Sequence, residues 1–479
     1  MHYDAIIIGS GQAGNPLWKY DLTPRGWSVA LIERKELGGT CVNYGCTPTK
    51  TMMASAQVAY YARQAARWGV QTDRVQIDLP RIVARKTAVV EHFRRPKEAA
   101  AKEQENLHLY RGHAQLTGPH TVTVGSERLE SERIFINTGT RPKVPRIPGL
   151  ETVRYLTNRT LMELTELPEH LLVLGGGYIG LEFGQMFRRF GSAVTVVHTG
   201  PHLLTREDAD VADALQQALE ADGVRFVLDA WTTRVSEASG WITLTLEGLT
   251  GAQEVTGTHL LVAAGRTPNS DDLGLEKAGV ATDAHGYIQV NGRLETNVPG
   301  VWALGDVKGG PAFTHISYND YEIVAANLLE GTQRSTEGRI VPYCVFTDPE
   351  LGRVGLTETE ARRTGRPLKI GKVPMTLVAR AIQRDETAGL MKLVVDAETD
   401  QILGAALLAS EGGEVVHVLE ALMVARASYR LLEKMIYIHP TLAEGLYWLV
   451  NEVKAADGDR RTIRKFGGGG RHNRYAGEA

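Results

Sequence analysis

Tyr3-Asp4-Ala5-Ile6-Ile7-Ile8-Gly9-Ser10-Gly11-Gln12-Ala13-Gly14 opens the chain with an apolar run that passes directly into G-x-G-x-x-G. An unbroken apolar run predicts a buried parallel strand, and the glycines predict a tight turn into a helix. Gly9 permits the turn, Gly11 lets the backbone approach a pyrophosphate, and Gly14 lets helix and strand pack closely. The helix then offers its unpaired N-terminal amides to that anion. The next apolar run, Ser28-Val29-Ala30-Leu31-Ile32, ends at Glu33. A carboxylate about 20 residues beyond the glycines is placed to bind a ribose hydroxyl. Strand, turn, helix and acid together describe a dinucleotide-binding unit.

The pattern recurs. Leu171-Leu172-Val173-Leu174 runs into Gly175-Gly176-Gly177-Tyr178-Ile179-Gly180, where Gly175, Gly177 and Gly180 take the three glycine roles. The following strand, Ala193-Val194-Thr195-Val196-Val197, ends at His198 rather than an acid, and His202 and Arg206 come after it. An acid there favours a free 2′-hydroxyl, whereas cations tolerate a 2′-phosphate, so the loop leans to NADPH and leaves NADH open. Two such units predict an α/β fold with two Rossmann-like domains, one dinucleotide held tightly and one exchanging.

Length and charge narrow the class further. A chain of 479 residues predicts two to four domains. A net charge of −3 gives no footprint for nucleic acid or an acidic membrane surface. No apolar run is long enough to span a bilayer. The N-terminus enters a strand pattern without a leader, so a cytoplasmic location is expected. The three cysteines are Cys41, Cys46 and Cys344. In a reducing compartment two close cysteines do redox or metal chemistry more often than structural bridging. Two sulfurs at this spacing lack a second ligand pair, so no metal site is expected. Cys344 stands alone and is expected in the core.

The pair lies in Gly38-Gly39-Thr40-Cys41-Val42-Asn43-Tyr44-Gly45-Cys46-Thr47-Pro48-Thr49-Lys50, at the start of a helix running through Met52, Ala56, Ala59 and Ala62. An ideal helix separates residues five apart by roughly 8–9 Å between Cα atoms. A disulfide needs less than about 7 Å. The backbone must therefore tighten, with Gly45 permitting it and Pro48 expected to distort the turn. A helix N-terminus also favours a thiolate. Lys50 shares the helix face of Cys46 and supplies a cation there.

This segment resembles the class I pyridine nucleotide–disulfide oxidoreductases, which include dihydrolipoamide dehydrogenase, glutathione reductase and mercuric reductase. The resemblance runs from about Tyr3 to Asn451. It implies FAD in the first unit, NAD(P)H in the second, and a C-terminal α+β dimerisation domain. The implied divisions are 1–145 and 269–340 for FAD, 146–268 for NAD(P)H and 341–465 for dimerisation; beyond them, glycine repeats that cannot bury a core predict a flexible tail over 466–479. It implies that Cys46 is the proximal thiol against the flavin and Cys41 the distal thiol that meets substrate. Lys50 is implied to sit by the flavin paired with Glu182, and Tyr178 to lie over the nicotinamide. Gly39 and Thr40 belong to the FAD cleft. Thr138-Gly139 resembles the family's crossing between domains, Gly265-Arg266 the crossing back, and Asp306 the acid on the ribityl chain.

His439-Pro440-Thr441-Leu442-Ala443-Glu444 carries the remaining chemistry. Pro440 keeps His439 out of a helix. Thr441 and Glu444 also read as a capping box for the next helix. The resemblance makes His439 the acid–base, oriented by Glu444 and reaching across a homodimer interface. A histidine suits proton exchange with a thiol. Leu390-Met391-Lys392-Leu393-Val394-Val395 and Ile402-Leu403-Gly404-Ala405-Ala406 suit strands of that interface domain.

The substrate is a small molecule or a metal ion. Thr51-Met52-Met53-Ala54-Ser55 resembles mercuric reductase, but the vicinal cysteines and N-terminal metal-binding domain of that family are missing, and His439 stands where it has tyrosine. These departures speak against efficient Hg(II) reduction. Phe313-Thr314-His315-Ile316-Ser317-Tyr318-Asn319-Asp320-Tyr321 looks like a bacterial mercuric-reductase-like branch that includes a copper-reducing enzyme. There His315 either binds a soft metal or packs near the flavin. The leading expectation is an FAD-dependent NAD(P)H reductase of disulfides, metal ions or quinones. The alternatives are a dihydrolipoamide dehydrogenase subunit and a flavin-bound redox sensor without turnover. Intact Cys41, Cys46 and His439 speak against the sensor.

Overall fold

The structure, a computed structural model, describes residues 1–248 and 251–456. The expected tail over 466–479 lies outside the described residues. The opening run forms the strand Ala5–Ile8, every residue of it buried. It is the middle of a five-stranded parallel sheet ordered Val301–Ala303, Ile134–Ile136, Ala5–Ile8, Val29–Glu33, Leu107–Arg111. Strand order reverses between Ala5–Ile8 and Ile134–Ile136, and a ligand crevice opens at the carboxyl ends of strands at such a switch point.

Period-two alternation sorts the side chains into two layers. Ala5 and Ile7 face helical residues such as Leu17, Trp18 and Tyr321. Ile6 and Ile8 face Ala114, Leu116, Val122 and Leu129. Those last four sit on a three-stranded antiparallel sheet, Ala114–Gly118, Thr121–Val124 and Glu127–Glu130. One face of the parallel sheet is thus covered by strands rather than helices.

The second unit repeats the plan. Its parallel sheet runs Arg225–Val227, Ala193–Val197, His170–Leu174, His259–Val262. Leu171 and Val173 meet Leu181, Met186 and Phe187 of the helix Tyr178–Phe190. Leu172 and Leu174 meet Val235, Leu244 and Val255 of a second antiparallel meander. The two crossing segments pair with each other, Thr140–Pro142 running antiparallel to Arg266–Pro268.

The C-terminal unit is an antiparallel six-stranded sheet ordered Pro342–Val345, Glu350–Gly355, Ile402–Ala409, Leu390–Asp396, Leu368–Pro374, Lys454–Ala455. The two strands expected here are adjacent, with Leu390 opposite Leu408. Buried faces of Gly412–Val424 and Gly445–Asn451 pack on it. No described helix is long and apolar enough to cross a membrane.

Candidate active site

A cavity of about 1370 Å³ opens at the switch point of the first sheet. Pockets for small ligands run to roughly 300–1,000 Å³, so this one has room for an extended molecule. Its wall takes Gly9 and Gly11 from the first turn, Glu33 from the second strand, and Gly39, Thr40, Cys41, Cys46 and Lys50 from the cysteine segment. Thr138, Gly139, Arg266 and Asp306 also line it, with Tyr178 and Glu182 from the second unit. Gly14 lies beneath it, where an added Cβ would stand 2.4 Å from the Gly9 carbonyl. That contact is the close helix–strand approach expected of this glycine.

Side chains fix the loops around the cavity. One Glu33 carboxylate oxygen accepts from the Ser10 amide at 3.0 Å and the Ser10 hydroxyl at 2.8 Å, and the other from the Lys35 amide at 2.9 Å. Asp306 accepts from the Thr140 hydroxyl at 2.9 Å, and Arg266 donates to the same hydroxyl at 2.6 Å. Arg266 and Asp306 are thus joined through Thr140 across the two crossing strands.

The second glycine turn stands apart. Gly175, Gly177, Gly180, His198 and Gly265 are absent from the cavity wall. The helix Tyr178–Phe190 connects the two places: it begins just past Gly177, and one turn later its Glu182 reaches the first cavity. His198 is not the free cation the sequence suggests. Its ring is half-buried, its Nδ1 accepts from the Gly176 amide at 3.2 Å, and burial lowers its pKa. His202 pairs with Asp213 at 2.8 Å. Arg206 is exposed and has no ion-pair partner among the described residues.

The cysteines occupy two helices rather than one. Gly39–Tyr44 ends at Gly45, whose φ of −126° and ψ of −117° are not helical, and Cys46–Gln64 starts anew. The approach expected from a tightened helix is achieved by this break. Pro48 does not distort it. It is the third residue of the new helix, where the amide it lacks has no intrahelical partner in any case. Both cysteines are free thiols, Cys41 half-buried and Cys46 exposed to the cavity.

The pair's protons are unequally held. A hydrogen bond from Cys41 pulls the Cys46 pKa down, and the Thr314 hydroxyl at 3.2 Å and the Lys50 charge act the same way against burial. Cys41 is pushed up, first by its bond to Cys46 and then by burial. Cys46 is therefore the thiolate and Cys41 the thiol. Lys50 Nζ sits 2.7 Å from a Glu182 carboxylate that is only 4% exposed. The other Glu182 oxygen accepts from the Phe346 amide at 3.0 Å, and the Lys50 ammonium stands 4.5 Å from the Phe346 ring centre. Cys344, expected in the core, is half-buried on the cavity wall, where burial raises its pKa. His315 Nε2 lies 2.7 Å from the Pro342 carbonyl, and its ring stacks on Phe313 at 5.5 Å.

His439 and Glu444 find each other but not the cysteines. The imidazole Nδ1 lies 2.9 Å from the Glu444 carboxylate, and His439 is 65% exposed. Only half of the capping box forms. The Glu444 amide donates to the Thr441 hydroxyl at 3.2 Å, while the carboxylate goes to His439. An ionised carboxylate only accepts, so it places the proton on Nδ1 and leaves the Nε2 lone pair free.

The family profile described as "Pyridine nucleotide-disulphide oxidoreductase" matches residues 3–320, and that of its dimerisation domain matches residues 341–450. The chain belongs to the pyridine nucleotide-disulphide oxidoreductase family. It is 38% identical over 460 residues to the probable pyridine nucleotide-disulfide oxidoreductase RclA of Escherichia coli, covering 94% of this chain and 99% of that one. It is 35% identical to a mercuric reductase of Lysinibacillus sphaericus, over 93% of this chain and 81% of the relative. Among solved structures, the Cu(II) complex of the HOCl-induced flavoprotein disulfide reductase RclA from E. coli superposes with a TM-score of 0.86 at 37% identity, covering 95% and 100% of the two chains.

As a pyridine nucleotide-disulphide oxidoreductase, the protein is an FAD-dependent enzyme that uses NAD(P)H, and its dimerisation domain supports a homodimer. The residues present fit FAD. Gly139 lies on the cavity wall with a φ of +67° and open space where a Cβ would be, so a flat ring can rest on its backbone. Glu33, Cys46 and Lys50 all line this one cavity. Thr314 and Phe346 were not legible as site residues in the oxidoreductase sequence. Thr314 begins the helix Thr314–Glu330, and only the fold brings that helix start to Cys46.

Proposed function

We propose that the enzyme is an NADPH-preferring reductase that uses the Cys41–Cys46 pair to reduce a disulfide, a thiophilic metal ion of the Cu(II) or Hg(II) type, or a quinone. The observation that carries this reading is the unequal pair itself, a Cys46 thiolate held by Cys41, Thr314 and Lys50 in the shared cavity. FAD, when bound, supplies the two-electron relay between nicotinamide and sulfur. The chain's residues do the rest. Cys46 faces the flavin end and Cys41 the substrate. Attack of Cys41 sulfur on a substrate disulfide forms a mixed disulfide and releases one thiolate. Cys46 then attacks Cys41, closes the intramolecular disulfide and releases the second thiolate. The free Nε2 of His439, from the second subunit, takes the Cys41 proton and returns it to the leaving thiolate.

The metal arm of the proposal is supported by the relatives, one crystallised as a Cu(II) complex and another named a mercuric reductase. The NADPH lean rests on Arg206, exposed and without an ion-pair partner among the described residues, two residues past Leu204, whose amide donates to the Gly176 carbonyl at 3.1 Å. The proposal keeps the division into 1–145, 146–268, 269–340 and 341–465, with the His439 loop in the last. Steady-state turnover of the purified enzyme with oxidised glutathione, Cu(II), Hg(II), lipoamide and a quinone, each with NADPH and NADH, tests it. Turnover of a disulfide or metal ion with a lower KM for NADPH is expected. Lipoamide turnover far above every other acceptor would instead identify a dihydrolipoamide dehydrogenase.

A further inference from the structure

A helix start is commonly fixed by Ser, Thr, Asp or Asn at the N-cap, whose side-chain oxygen takes up a free amide of the first turn. The helix Thr314–Glu330 has Phe313 in that place and makes no side-chain cap hydrogen bond. Helix ends fray when nothing ties them down. Yet Thr314, the first residue of this helix, holds its hydroxyl 3.2 Å from the Cys46 sulfur. The Phe313 carbonyl accepts from the Ser317 amide at 3.0 Å and the Ser317 hydroxyl at 3.2 Å, which anchors the backbone on one side only.

The Phe313 ring supplies the other anchor. It stacks on both Tyr343 and His315, with ring centres 5.2 and 5.5 Å away and planes within 9° of its own. Offset stacks at such separations are favourable for aromatic pairs. Both neighbours are themselves pinned. His315 Nε2 donates to the Pro342 carbonyl at 2.7 Å, since a carbonyl only accepts. The Tyr343 hydroxyl donates to the Glu207 carboxylate. The Glu207 side chain is buried and faces the equally buried Arg353 at 3.8 Å, so it has no path to swing into water. The Glu207 amide donates to the Leu204 carbonyl at 2.7 Å, which fixes its backbone as well. Pro342 and Tyr343 are neighbours on the edge strand Pro342–Val345, so both pins lead to one strand of the C-terminal sheet.

We propose that Tyr343 and Glu207 are positioning residues for the Cys46 thiolate: Glu207 holds the Tyr343 ring, the stack holds Phe313, and Phe313 seats Thr314 with its hydroxyl on the sulfur. The stack takes the place of the missing cap. The inference rests on the reading of Cys46 as the thiolate beside the flavin and adds the support that keeps its donor in place. Glu207 comes from the loop of the second unit and Tyr343 from the C-terminal unit. The sulfur's environment therefore depends on both units being packed against the cysteine segment.

Titration of the long-wavelength absorbance of a thiolate beside oxidised flavin, in the two-electron-reduced enzyme, tests the proposal. Tyr343→Phe keeps the ring and removes the hydroxyl that Glu207 grips. Its midpoint is expected to rise by about 0.5–1 pH unit, about half of what a hydrogen bond to a charged group represents. Phe313→Leu breaks the stack itself, with a rise expected in the same direction. It keeps the test open if Tyr343→Phe leaves Glu207 without a donor and does not fold. Cys41, Lys50 and Glu182, the other titratable groups that bear on the Cys46 charge, are unaltered in both variants. Combination with Thr314→Val separates positioning from general loosening. If Tyr343 acts through the Thr314 hydroxyl, its effect vanishes once that hydroxyl is gone, and the double variant titrates where Thr314→Val does. A wild-type midpoint in either folded variant, or a double variant whose shift is the sum of the two single shifts, would overturn the proposal. Wild-type enzyme that shows no such band would instead overturn the reading of Cys46 on which it rests.

Discussion

The Cys46 sulfur receives hydrogen bonds from two directions, the Cys41 thiol and the Thr314 hydroxyl at 3.2 Å, and Lys50 adds its charge. Thr314 also begins a 17-residue helix, whose N-terminal end favours negative charge nearby. These influences oppose burial and win, so the pKa lies below the ordinary thiol value. The thiolate is therefore present above that lowered pKa and is lost as pH falls through it. Thr314→Val keeps the shape and removes one donor. A hydrogen bond to a charged group is worth about 1.5–3 kcal/mol, which corresponds to about 1–2 pH units. The long-wavelength absorbance of a thiolate beside oxidised flavin, titrated in the two-electron-reduced enzyme, should disappear at correspondingly higher pH in Thr314→Val. An unmoved midpoint would remove Thr314 from the account. Cys46→Ser should abolish the band, since it removes the sulfur that carries the charge.

At the scale of elements, the break at Gly45 matters more than either helix it separates. An added Cβ there would stand 3.0 Å from the Thr40 carbonyl and 3.3 Å from the Cys41 Cα, so Gly45→Ala must push the two cysteine-bearing helices apart. Overpacking of this kind costs about 1–3 kcal/mol. The expected result is a lower midpoint in urea together with a weakened thiolate–flavin absorbance. Full absorbance at reduced stability would show that the break serves packing alone. Spacing in the sequence already required some contraction between Cys41 and Cys46, because an intact helix holds them too far apart. It did not say whether the helix would compress or snap, since that depends on Asn158, which accepts the task of satisfying the Tyr44 carbonyl from a distant segment. The parallel strands were legible for a simpler reason: Ala5–Ile8 and His170–Leu174 are apolar throughout and run straight into glycine turns. The antiparallel meanders that replace helices on one face of each sheet were not, because alternation over short strands does not name the surface it covers. His198 misled for a related reason. Its place in the chain suggested a cation, but its charge depends on burial against Gly176 that only the fold creates.

For the whole molecule the unresolved partner of the chemistry is the proton. His439 is oriented by Glu444 at 2.9 Å, yet it is absent from the cavity wall of its own chain. The residues around it are apolar and uncovered: Ile436 is 97% exposed and Ile438 78%. Apolar side chains left in water at this density are explained by a second surface laid over them, and the dimerisation domain supplies the means. A two-fold dimer makes the same contact twice, so each His439 would serve the cysteines of the other chain. Mixed dimers separate this arrangement from one in which each chain is self-sufficient. Cys46→Ser and His439→Ala are each expected to be nearly inactive as homodimers. A dimer with one chain of each kind carries one site with intact cysteines and an intact histidine contributed across the interface, and one site lacking both. After unfolding and co-refolding of equal amounts, random pairing makes about half the dimers mixed, each with one of two sites working, so activity should return to about a quarter of wild type. Recovery should track the fraction of mixed dimers when the mixing ratio is varied. If His439 acted within its own chain, every site in the mixture would lack either the thiolate or the base, and no ratio would restore turnover.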